Sequence, residues 1–130
     1  MKTIGIIALS GCVDKEKLNN AKLNLEKIGF KVKLSENIFY KKRYFSGEDE
    51  DKLKALSDLF QDPEIDIIMC ARGGYGAIRL LNHIDYNLIK NNQKVFCGFS
   101  DVTALLLMIY KKTGMITCLL YTSDAADDKA

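Results

Sequence analysis

Apolar and polar positions along the chain alternate between two kinds of pattern. Thr3 to Leu9 is an unbroken apolar run rich in β-branched residues, as expected for a strand buried on both faces, and Ser10-Gly11 supplies the turn after it. From Asp14 the period lengthens. Leu18, Ala21, Leu25 and Ile28 fall on one helical face with Lys and Glu opposite, and Gly29 ends the helix. Phe30 to Leu34 alternates as a strand at or near a sheet edge.

Ser35 to Ser46 is polar and aromatic without a period and reads as a long loop, with Phe39, Tyr40, Tyr44 and Phe45 anchoring it to the domain. Glu48 to Gln61 is a second helix. Its first turn is acidic, Leu53, Leu56 and Phe60 share a face, and Asp62-Pro63 stops it. A strand over Ile65–Cys70 follows, then helical residues Ala77–Leu81 and Tyr86–Asn91, a strand over Val95–Cys97 and a helix from Asp101 to Lys112. Strands alternating with helices imply an α/β domain: an open, mainly parallel, flavodoxin-like sheet flanked by helices on both faces, with functional groups at the C-terminal ends of the strands.

Composition narrows the partner classes. The 130 residues fit one domain able to bury a core without disulfides, and 48% hydrophobic with 28% charged residues is ordinary for a globular protein. A net charge of +2 implies neither a nucleic acid nor a membrane surface, and no apolar run approaches membrane-spanning length. Cys12, Cys70, Cys97 and Cys118 are widely spaced, without a C-x-x-C pair. They therefore suggest neither a metal site nor a disulfide framework, and reduced thiols in a cytoplasmic protein are expected.

Two motifs stand at predicted strand ends. Arg72-Gly73-Gly74-Tyr75-Gly76 places three glycines in four positions, which lets a ligand approach the backbone and its N–H groups. It lacks the G-K-S/T of a phosphate-binding loop, and Arg79 stands where a dinucleotide fingerprint needs glycine. Gly98-Phe99-Ser100-Asp101 is shaped like a nucleophile elbow, with a serine between a strand end and a helix start whose amides are unpaired within the helix. Val102 stands where the elbow of ordinary α/β-hydrolases has a second glycine. On pattern alone, Ser100 and Asp101 serve equally as caps of the following helix.

The ordered set Ile4-Gly5-Ile6-Ile7-Ala8, Gly29-Phe30-Lys31-Val32, Phe45-Ser46-Gly47, Asp62-Pro63-Glu64-Ile65-Asp66, Ala71 through Gly76, Ile84-Asp85-Tyr86 and Gly98-Phe99-Ser100-Asp101-Val102-Thr103 resembles the LD-carboxypeptidase family of serine peptidases. That family includes muropeptide LD-carboxypeptidases and microcin C immunity peptidases. The resemblance runs from about Thr3 to Thr117. It implies a cytoplasmic hydrolase that needs no cofactor or metal and releases the terminal D-alanine of a murein tetrapeptide, with homodimerisation expected.

By the same resemblance, Ser100 matches the nucleophile. The N–H of Asp101 and an N–H from Gly73-Gly74 match the oxyanion hole, and Arg72 and Tyr75 shape the substrate wall. The family's general base and its orienting carboxylate come from a second, C-terminal domain. The only histidine here, His83, stands where the family pattern does not place the base, so this chain by itself is expected to be inactive.

After Thr117 the string Cys118 to Asp128 resembles the conceptual translation of a transposase sequencing adapter. Residues 1–117 are therefore expected to be the family's N-terminal domain and 118–130 to be non-native read-through. Two other functions remain open: a peptide-antibiotic immunity peptidase, and a non-catalytic flavodoxin-like module whose glycine-rich loop cradles an anion.

Overall fold

The computed structural model describes residues 2–9, 14–35, 49–71, 77–98 and 102–119. Strand β1 (Thr3–Ile7) is buried along its whole length, and Ala8 and Leu9 continue the buried run beyond it. Helix α1 (Lys15–Ile28) starts at Asp14, whose carboxylate accepts the Glu16 N–H at 3.1 Å. It ends at Gly29, whose φ of +116° is the left-handed conformation that turns the chain into β2 (Lys31–Leu34). Helix α2 (Asp49–Gln61) precedes β3 (Ile67–Cys70). Residues Ala77–Leu80 form a 3-10 turn, followed by α3 (Tyr86–Asn91), β4 (Val95–Gly98), α4 (Val102–Thr113) and β5 (Thr117–Leu119).

All neighbouring strands pair in parallel, in the order β2-β1-β3-β4-β5. This is the expected flavodoxin-like α/β architecture, with β2 at one edge. Three details differ from the pattern-based expectation. Residues Ala77–Leu80 are 3-10 rather than α-helical. β5 is a strand the pattern does not predict, because three residues are too few to show a period, and it includes Cys118 and Leu119. On α1 only Leu18 is buried and Leu25 half-buried. Ala21 and Ile28 are exposed, since no other described element lies over them. The expected aromatic loop, Ser35 to Ser46, lies outside the described residues apart from the buried Ser35.

Period-2 alternation divides the core between the two faces of the sheet. Ile4, Ile6 and Ala8 pack with Leu18 under α1. Ile7, Leu9, Ile68 and Phe96 pack with Leu56 and Phe60 of α2, Ile89 of α3 and Leu105 and Ile109 of α4.

Polar bonds stitch the N-terminal edge of the sheet. The Thr3 N–H donates to Asp66 Oδ2 at 2.9 Å, and Lys94 Nζ donates to the carbonyls of Asp62 and Ile65 at 2.8 and 2.7 Å. Lys33 Nζ reaches Asp62 at 2.8 Å and Glu64 at 2.6 Å.

The Lys33 ammonium and the Glu64 N–H hold the Asp62 carboxyl below its ordinary pKa, while Asp62 and Glu64 raise Lys33. A lowered carboxylate stabilises the fold above its unfolded pKa of about 3.9 and loses that contribution as pH falls through the folded value. The raised lysine contributes below its own unfolded pKa and loses its share only in strong alkali. Asp62→Asn should therefore flatten the decline of the urea midpoint between about pH 5 and pH 2 without removing it, because the pair is partly exposed and solvent-screened. An unchanged acid limb would show that Asp62 does not couple to folding.

Candidate active site at the C-terminal ends of β3 and β4

The six residues of the expected site, Arg72, Gly73, Gly74, Tyr75, Ser100 and Asp101, lie outside the described residues. The structure does describe the four chain ends that hold their two segments. The glycine-rich segment leaves β3 after Cys70 and Ala71, and the serine segment leaves β4 after Gly98. β3 and β4 are hydrogen-bonded neighbours with Met69 opposite Cys97. Both segments thus depart from adjacent points on the same sheet edge. They rejoin the described fold at Ala77 and Val102, each fully buried, and α4 packs against the 3-10 turn that Ala77 opens.

Only three residues, 99–101, separate β4 from α4, and the packing at that corner is close. A Cβ at Gly98 would stand 2.7 Å from Val102 Cγ1 and 3.4 Å from Cys70 Sγ. The first turn of α4 therefore comes back over the end of β4 at a distance only glycine permits. The first amides of α4 have no partner within the helix and lie at this same edge. A strand end, a short connection and unpaired helix amides together make an arrangement that can support an oxyanion beside a nucleophile.

Gly98→Ala should destabilise the protein by about 1–3 kcal/mol, as overpacking against a β-branched neighbour does. Chemical denaturation checks this, and a loss of under about 0.5 kcal/mol would mean that the corner relaxes freely.

Other titratable groups near the edge are poor candidates for the chemistry. Burial, reinforced by Cys118 opposite it, pushes the Cys97 thiol up to about 11, so it stays protonated near neutrality and is not a thiolate nucleophile. His83 sits in the turn after Leu80, whose carbonyl accepts its N–H at 2.9 Å. With Leu53, Leu56, Ser57, Ile84, Asp85 and Ile89 it lines a cavity of about 60 Å³ between α2 and α3, in the outer helical layer. Among the described residues no set of three His, Cys, Asp or Glu is placed to hold a metal, and no helix is long and apolar enough to cross a membrane. The contribution that sequence reasoning missed is that of Cys70 and Val102, which crowd Gly98. Only the position of Gly98 at the head of the serine motif hinted at it.

Known proteins resemble this chain in sequence and in fold. The family model described as the LD-carboxypeptidase N-terminal domain matches residues 4–119. A Bacillus subtilis (strain 168) protein named "Probable murein peptide carboxypeptidase" is 37% identical over 129 residues, covering 97% of this chain and 40% of that protein. Among solved structures, the microcin C7 self-immunity protein MccF in its apo state superposes with a TM-score of 0.85 at 34% identity, covering 89% of this chain and 36% of its own. Another form of MccF is described as an active-site mutant in which a serine, an asparagine and a lysine are each replaced by alanine. Muramoyltetrapeptide carboxypeptidase from Oxalobacter formigenes superposes with a TM-score of 0.82 at 28% identity, covering 89% of this chain and 38% of its own. The chain spans 40% or less of the length of each of these proteins. Since the matched residues 4–119 take in nearly the whole chain, it belongs to the LD-carboxypeptidase family and carries that family's N-terminal domain.

Proposed function

We propose that this chain is the nucleophile-bearing part of a serine carboxypeptidase that hydrolyses an L,D-peptide bond and releases the terminal D-alanine of a murein tetrapeptide. The observation that carries this reading is the departure of the glycine-rich and serine segments from adjacent ends of β3 and β4, with Gly98 and Val102 in close contact at the corner. The serine of the MccF active-site mutant supports a serine nucleophile in the family.

In this reading Ser100 Oγ attacks the carbonyl carbon of the scissile amide while its proton passes to a base from the remainder of the protein. The N–H of Asp101 and one from Gly73-Gly74 hold the oxyanion, and Arg72 and Tyr75 line the substrate wall. The C–N bond breaks, the protonated amine leaves as D-alanine, and water then hydrolyses the Ser100 ester. The reaction needs neither metal nor cofactor. The reading also places the enzyme in the cytoplasm, binding a small peptide rather than nucleic acid or membrane, and working as a homodimer.

The direct test incubates the full-length protein with a murein tetrapeptide and measures free D-alanine. Release is expected from the full-length protein and none from the 130-residue chain, because this reading puts the base in the remainder of the protein. Serine-dependent release by the short chain would overturn the assignment of the base to the rest of the protein, and no release by the full-length protein would overturn the substrate.

A second reading is favoured by MccF, which was solved in complex with aspartyl sulfamoyl adenosine. In it, the same serine cleaves the amide of a peptidyl nucleotide, and such a substrate run in parallel separates the two readings. Residues 118–130 are read as translated adapter on the strength of the string itself. A genomic read continuing unchanged through Asp128 would refute that.

A further inference from the structure

A lysine occupies a place on α2 where the rest of the helix carries apolar residues. Lys52, Ala55, Leu56 and Leu59 are all buried and repeat at i, i+3, i+4 and i+7, so they form the inward stripe of the helix. Lys52 is 0% exposed, and its Nζ is itself shut off from solvent. A lysine near a surface usually buries its methylenes and lets the ammonium reach water. Lys52 does not, and a cation is retained at such depth where oxygens of the protein replace its hydration. An apolar side chain would fill the position at lower cost, so local stability does not account for the lysine.

The fold puts this charge at the edge of the proposed site. α2 ends beside the N-terminal edge of the sheet, where the Asp62 and Ile65 carbonyls accept from Lys94 Nζ. Its 13 residues span roughly 20 Å, more than the four-residue strands, so its first turn lies at the opposite edge, where β3 and β4 end. Asp49 bears this out. Its carboxylate accepts from Arg79 Nη2 at 2.7 Å, in the 3-10 turn through which the chain returns from the glycine-rich segment. Helical side chains lean toward the N-terminus of their helix, so Lys52 leans toward that same edge.

We propose that Lys52 is a positioning residue of the active site: its ammonium donates to backbone carbonyls gathered at the C-terminal edge of the sheet and so fixes the peptide groups whose N–H ends face the substrate. A planar trans peptide directs its C=O and N–H in opposite directions. An ammonium behind the carbonyl therefore presents the N–H on the other side and adds its positive charge to the support of an oxyanion held there. Lys52, being fully buried, does not itself touch the substrate. The inference rests on the serine-peptidase reading of the site and not on the murein substrate.

The test compares Lys52→Met and Lys52→Arg with the unsubstituted full-length protein. It reads the urea midpoint, kcat and KM for D-alanine release, and the rate at which a fluorophosphonate labels Ser100. Lys52→Met is expected to keep or raise the midpoint, because a buried charge gives way to an apolar chain of similar volume. It should lower both kcat and labelling at least about tenfold, with KM within about threefold, as misplaced oxyanion donors do. Lys52→Arg keeps the charge and should react at least about threefold faster than Lys52→Met. The proposal is overturned if Lys52→Met reacts within about twofold of the unsubstituted protein, if its turnover falls only in step with its midpoint, or if Lys52→Arg does no better. Labelling without D-alanine release by the unsubstituted protein would refute the substrate, and the labelling rates would still decide the role of Lys52. An unsubstituted protein that does neither would overturn the serine-peptidase reading and this inference with it.

Discussion

Replacing Ser100 by alanine in the full-length protein is expected to lower D-alanine release at least about a thousandfold while leaving the fold and substrate affinity nearly unchanged. Removing a serine nucleophile leaves only the catalysis that the oxyanion donors and binding provide, and in well-studied serine hydrolases that residue is small. The change deletes one hydroxyl from a segment held at Gly98 on one side and at the fully buried Val102 on the other, so the corner has no new contact to accommodate. The expected pattern is a collapse of kcat with KM within about threefold, since in the proposed reaction the hydroxyl attacks the substrate and does not bind it. This result also discriminates the alternatives. A non-catalytic anion-binding module would keep its ligand, with nothing to lose in turnover. If Ser100 merely caps α4, the substitution should instead cost about 1 kcal/mol of stability and leave turnover intact.

Phe96→Ala is expected to remove about 3–5 kcal/mol of folding stability, read as a shift in the denaturant midpoint at unchanged slope. Phe96 is fully buried in the middle of β4, paired with Ile68 on β3 and Thr117 on β5. Its ring packs against Phe60 of α2, with centroids 5.8 Å apart and planes tilted by 46°. Truncation removes an aromatic pair and leaves a cavity between sheet and helix that rigid neighbours cannot close. A domain with the usual 5–15 kcal/mol of stability would lose a large fraction of it. The same truncation at Leu23, which is 55% exposed on α1, should stay within about 0.5 kcal/mol. If the two variants lose similar amounts, the central position assigned to Phe96 is wrong. Because Phe96 lies two residues before Gly98, the loss should also loosen the strand end that carries the serine segment, and turnover should fall with stability.

The pattern of apolar and polar positions was sufficient for the α/β class, for β2 at or near a sheet edge, and for two motifs that follow strands. Each of these is a local property. A buried parallel strand reads as a continuous apolar run, as Thr3 to Leu9 does, and a glycine cluster marks the strand end that needs it. The sequence also carried the family resemblance, through short motifs in a fixed order, and with it the candidate nucleophile Ser100.

Pairing between distant segments was decided only in three dimensions. Ile4 lies beside Ile67 and Met69 beside Cys97, and no period in the chain encodes that proximity. The steric need for glycine at position 98 belongs to two elements at once, because it is Val102 and Cys70 that fill the space a side chain would take. Burial of Lys52 within α2 and exposure of Ile28 at the end of α1 likewise depend on which neighbours cover each face, which hydropathy does not encode. The sequence offered a candidate nucleophile because reactive groups occur in short, recognisable strings. Tertiary structure alone brought the ends of β3 and β4 together, because adjacency across a sheet is settled by packing between segments far apart in the chain.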